Sequence, residues 1–192
     1  MQAVNDTFNY LAVLFSIIIG LAATELLQGI RRLLIARRRV IPYWPSLVLA
    51  ATLLLVLAQA WWAIFGLREH TDWTFGMYGT ALLQIVLLYL VAALALPIVE
   101  TEGEIDMRAS HFAHAKPLYL LLVAAGVASV VRDLVINNKL PDTTNLAFHA
   151  AFIAIGLAAS MSREEWFHKA ATSVIFLAFV AYVGLLFNRM PG

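Results

Sequence analysis

Ser46 to Leu67 is a run of 22 residues without one ionisable side chain. A helix of about 20 residues spans the ~30 Å hydrocarbon core of a bilayer. In lipid an unpaired backbone amide costs several kcal/mol, so a run this long and this apolar crosses as a helix. Comparable apolar blocks recur at Phe8–Leu27, Phe75–Leu96, Leu118–Ile136, Asn145–Met161 and Ala170–Phe187. The chain is 62% hydrophobic and 13% charged, against roughly 45–50% and about 25% in soluble domains. Six such helices use most of the 192 residues, leaving no room for a separate soluble catalytic domain. A net charge of +1 gives no general attraction for nucleic acid, and the absence of cysteine removes disulfides, thiol catalysis and cysteine-held metal clusters.

The expected fold is therefore all-α, a polytopic six-helix membrane bundle forming one transmembrane domain over 1–192. Its spans fall at about 8–30, 46–67, 75–96, 118–136, 145–161 and 168–187. Spans five and six are short, and a tilted hairpin there would change the count, to between five and seven. No Lys or Arg precedes the first apolar block and Arg31 and Arg32 follow it, the reverse of a cleavable signal peptide. Pro42 and Pro45 break the chain before span two, and Pro97 stops span three. Residues 104–115 carry Ile105, Ala109 and Phe112 on one helical face, which predicts a short interfacial helix. Pro117 then suits the first turn of span four. Thr143 or Thr144 is expected to cap span five, and Ser162-Arg-Glu-Glu165 matches a capping box that starts span six.

Lys and Arg are retained on the cytoplasmic side of membranes. The five arginines between spans one and two place that loop inside; with the other loops alternating, nine basic residues fall inside, those five included, against four outside. This predicts both termini outside the cytoplasm, and the short loops suit a bacterial inner-membrane protein. Gly20-Leu-Ala-Ala-Thr-Glu-Leu-Leu can be laid over Gly126-Val-Ala-Ser-Val-Val-Arg-Asp, a weak match that hints at a 3+3 inverted repeat.

Ionisable groups inside a span must face protein or water, and they commonly mark ion or solute pathways. Glu25 lies within span one, six residues and hence ~9 Å from Arg31. It is expected either to exchange a proton or cation, or to pair with Arg32 or a neighbouring helix. Arg132 and Asp133 point about 100° apart on span four. That predicts separate partners, in a cavity or by snorkelling to the outer interface. Gln59 and Gln84 are candidates for solute contacts or interhelical hydrogen bonds. Ser16, Gly20 and Thr24, and Gly156 with Ser160, form small-residue packing seams. His111, His114 and His168 are the only candidates for a metal, with Glu100, Glu102 or Glu104 near by. Two midmembrane histidine pairs suited to haem are absent, and no cofactor is expected. Phosphate-loop, G-x-S-x-G and H-E-x-x-H motifs are absent as well, so an enzyme is not the expectation.

These features point first to a small channel or transporter for a proton, ion or small solute, with Glu25 as coupling carboxylate and Arg132–Asp133 at the outer mouth. The alternative is a noncatalytic membrane subunit that stabilises or regulates a larger complex. A metal- or haem-dependent redox protein comes third. The implied surroundings are a lipid bilayer and either further copies of the chain or a membrane-protein partner.

Overall fold

The computed structural model describes residues 2–98 and 103–186. Six long helices dominate: α1 (Gln2–Ile35), α2 (Trp44–Phe65), α3 (Phe75–Leu94), α4 (Met107–Asn137), α5 (Thr143–Met161) and α6 (Glu165–Leu186). All six contain stretches long and apolar enough to cross a membrane. Every helix also leaves large apolar side chains on the outside, Leu21, Leu83 and Leu177 among them, each more than half exposed. A soluble monomer does not carry such a coat, so the chain is a multi-pass membrane protein whose outer surface is solvated by lipid.

The helices pack mainly as α3 on α4, α4 on α5 and α1 on α3, with α2 against α6. α1 lies along α3, whereas α4 and α6 meet chiefly through side chains at one end, so the two three-helix halves are packed differently. That end also holds Arg31, Arg32, Arg37 and Arg38, all exposed, and is called the arginine end below.

Several local expectations need correction. Residues 107–116 do not form a separate interfacial helix: they continue straight into α4, with Pro117 inside the helix. Proline removes one backbone bond, a loss that membrane helices absorb through their neighbours. α4 is consequently 31 residues long, about 46 Å, longer than a bilayer core. Ile105 belongs instead to a two-residue strand, β2 (Ile105–Asp106), paired in parallel with β1 (Val40–Ile41). Arg39 adds to this stitch by donating from Nη1 to the Gly103 carbonyl at 2.9 Å. Asp142, not Thr143 or Thr144, caps α5, its carboxylate accepting from the Thr144 and Asn145 amides. The capping box is half formed: Ser162 Oγ accepts from the Glu164 amide, while the Glu165 carboxylate turns to Arg108 and Lys169.

The small-residue seams separate into an inner and an outer one. A Cβ on Gly156 would fall 2.8 Å from Val123 Cγ2, so α5 approaches α4 closely there. At Gly20 nothing lies within 4 Å, because the Ser16–Gly20–Thr24 seam faces outward. Val123 is β-branched and stiff at χ1, so it cannot easily yield. Gly156→Val is therefore expected to cost about 1–3 kcal/mol and Gly20→Val no more than about 0.5 kcal/mol, as read by unfolding in mixed micelles.

Candidate functional site

A cavity of about 110 Å³ lies among α2, α3, α4, α5 and α6. Its polar lining comes from Thr52, Gln59, Gln84, Ser129, His149 and Tyr182, and aliphatic and phenyl groups form the rest. A buried water needs roughly 10–15 Å³ of such space, so the cavity has room for several waters or a solute of a few heavy atoms. Gln59 and Phe179 also line a more open apolar groove between α2 and α6, which places the cavity wall next to the bilayer.

Arg132 and Asp133 adjoin this cavity, and their geometry differs from the sequence expectation. They form one compact pair: Arg132 donates from Nε at 3.0 Å and from Nη2 at 2.7 Å to Asp133 Oδ1. The 100° between their Cβ directions is closed by the length of the arginine, which curls around the helix. Nη1 meanwhile donates to Gln84 Oε1 on α3 at 2.7 Å. Helical side chains lean toward the helix N-terminus; for α4 that is the arginine end, so Arg132 is carried inward and does not snorkel out. The two side chains are only 13% and 19% exposed. Alongside, the Tyr182 hydroxyl donates to Asn145 Oδ1 at 3.2 Å, and His149 Nδ1 donates to the Asn145 carbonyl at 3.0 Å.

At the arginine end a second polar group is fully internal. Ser46 Oγ lies 3.2 Å from His111 Nδ1, His111 Nε2 lies 3.1 Å from His168 Nδ1, and His168 Nε2 lies 3.0 Å from the Ser162 carbonyl oxygen. Ser46 and His168 are essentially inaccessible and His111 is buried. The chain ties α2, α4, α6 and the α5–α6 connection together. Tyr43, Phe112 and Tyr119 pack around the rings. Burial, with the Glu165 carboxylate near by, pushes the Tyr43 phenol up to about 12, so it stays a neutral hydroxyl. The Tyr119 hydroxyl faces Thr172, and among the described residues neither buried oxygen has a partner in good hydrogen-bond geometry. His111 and Arg132 are 21 residues apart on α4, about 31 Å along its axis. The two polar groups therefore bracket a bilayer's thickness, with the cavity between them.

The other candidates fall elsewhere. Glu25 is exposed on the outer face of α1, away from the cavity. It does not pair with Arg32, which bonds Gln28 Oε1 at 3.0 Å instead. His114 is exposed and caps the Ser110 carbonyl, so it does not join His111 and His168. Glu104 is exposed, while Glu100 and Glu102 lie outside the described residues. Among the described residues no group of three His, Asp or Glu could hold a metal ion. Sequence reasoning missed Ser46, Tyr119 and Thr172. One signal was available: α2, α4 and α6 all begin at the same end, which brings Ser46, His111 and His168 to similar heights.

Compared with known protein families, curated proteins and solved structures, the chain matches none. Its class, a six-helix multi-pass membrane bundle, is defined by the fold alone.

Proposed function

We propose that this chain is a small membrane channel or transporter, with the interior cavity as the site through which a proton, ion or small solute passes. The observation that carries this reading is the Arg132–Asp133 pair held inside the bundle and bonded to Gln84 on the cavity wall. Charged groups are expensive at membrane depth and are typically found where a pathway uses them. The pair cancels its own charge and the lining is otherwise amide, hydroxyl, the single His149 imidazole and hydrocarbon. Such a surface suits a small neutral solute, or protons moving over water, better than a multivalent ion. Glu25, on the opposite side of α1, has no part in this path. The arginine end is assigned to the cytoplasm and both termini to the outside, as the basic residues favour, in a bacterial inner membrane.

The test is flux into liposomes, using a pH-sensitive dye for protons and light scattering for small solutes. Gln84→Leu leaves an Arg132 N–H without its acceptor, a loss of about 1–3 kcal/mol, and is expected to change flux about tenfold. Glu25→Gln is expected to leave flux unchanged. Flux no greater than in protein-free vesicles for every solute tried would overturn the reading.

A second reading, as a noncatalytic subunit of a larger assembly or of an oligomer, is favoured by Glu25 itself. Side chains on α1 lean toward its N-terminus, so this carboxylate points away from the nearby arginine end and deeper into lipid. A partner helix over Thr24, Glu25 and Gln28 would relieve that cost. Copurification of a second polypeptide in mild detergent, lost in Glu25→Leu, is the expected sign; a monomer in lipid nanodiscs would speak against it.

A further inference from the structure

We infer that the buried Ser46–His111–His168–Ser162 chain is a one-proton site: it takes up a single proton, shared between its two imidazoles, and excludes a second. Any part this plays in coupling rests on the transport reading above, whereas the site itself rests on its geometry.

The Ser162 carbonyl sets the arrangement, because a carbonyl oxygen only accepts. His168 must therefore carry a hydrogen on Nε2. If His168 is neutral, its Nδ1 is bare and accepts from His111 Nε2–H. That leaves His111 Nδ1 bare, so Ser46 donates its hydroxyl hydrogen there. One tautomer of each ring satisfies all three bonds, and they point in one direction, from Ser46 to Ser162.

One added proton fits without breaking the chain. It binds His111 Nδ1, and Ser46 Oγ turns to accept from the new N–H. The hydrogen between the rings can then stay on His111 Nε2 or move to His168 Nδ1; either way one positive charge is present and every N–H keeps an acceptor. The inter-ring bond becomes charge-assisted and stronger. A second proton would put hydrogens on both facing nitrogens, 3.1 Å apart, where two donors of like charge repel.

The surroundings offer nothing to offset a second charge. Before α2 stands the neutral Tyr43, α2 contributes Ser46, and the α5–α6 connection contributes the Ser162 carbonyl. From α4 come Tyr119 and Arg108, and from α6 come Thr172, Glu165 and Lys169. Glu165 is committed to Arg108 and Lys169 at the surface, and neither imidazole bonds a carboxylate. The site also ends blind, since the carbonyl cannot pass a proton onward. It loads and unloads from the Ser46–His111 side, and so it stores a proton at the arginine end and does not conduct one.

The experiment is ¹⁵N-histidine NMR on the full chain in lipid nanodiscs, titrated from about pH 8 to about pH 4, with His111→Gln and His168→Gln spectra for assignment. The expected result is Nε2–H tautomers on both rings at the start, then one coupled step in which the pair gains a single proton. Two independent steps, or no uptake by either ring, would overturn the inference. The wild-type titration decides even if a variant fails to fold. One-proton uptake without any flux removes the transport reading and leaves the site standing; flux with two independent uptake steps does the reverse.

Discussion

Arg132→Leu is expected to lower the unfolding free energy by about 3–5 kcal/mol, and Arg132→Leu combined with Asp133→Leu to recover most of that loss. The asymmetry follows from where the pair sits. Removing the guanidinium leaves the Asp133 carboxylate inside the bundle without its two short bonds at 2.7 and 3.0 Å. Removing both charges leaves only Gln84 short of a partner, because Arg132 Nη1 was its donor. Unfolding by detergent titration of the wild type, Arg132→Leu, Asp133→Leu and the double variant completes the cycle that isolates the coupling between the two side chains. A single-variant loss below about 1 kcal/mol would mean that water reaches the pair freely, as it does at exposed ion pairs.

The second large effect is expected at His168. His168→Phe keeps a ring of similar size in the same space but strands the His111 Nε2–H and the Ser162 carbonyl, both of which His168 satisfies. Each buried group left unpaired costs about 1–3 kcal/mol, so a combined loss of about 2–6 kcal/mol is expected. His114→Phe serves as the comparison. His114 is exposed and bonds only the carbonyl four residues earlier in its own helix, so this change should stay within about 0.5 kcal/mol. Equal losses at the two positions, measured by the same detergent titration, would show that the buried chain does not hold α4 to α6.

The six spans were legible in the sequence because the cost of bare peptide groups in lipid acts on every residue of a long run, whatever its neighbours. Ser46–Leu67 and Phe75–Leu96 needed no tertiary information to be recognised. Element ends were less legible. Thr143 and Thr144 resemble good caps, yet Asp142 stands just before them with a charged acceptor already aimed at the Thr144 and Asn145 amides. Pro117 looked like a helix start because proline favours that position, but packing carries α4 straight through it. At the candidate site, Gln59, Gln84, Arg132 and Asp133 were identified by their depth alone. That Gln59 and Gln84 line one cavity, with Arg132 bonded to Gln84, depended on the relative heights of the helices, which hydropathy does not encode. Glu25 shows the converse. Its depth was readable, but the face it occupies is set by which side of α1 packs on α3, and that side carries Phe15, Ala22 and Leu26. The histidine chain was least legible because its members lie 65 and 57 residues apart.

The chain has no cysteine, so single introduced thiols report on access against a silent background. Gln84→Cys and Gln59→Cys, on the cavity wall, can be compared with Leu83→Cys, 53% exposed on the outer surface, for reaction with a small membrane-impermeant thiol reagent in proteoliposomes. A water-filled path through the bundle predicts that the two cavity thiols react and the lipid-facing one does not. Protection of both cavity thiols to the same degree as position 83 would contradict it.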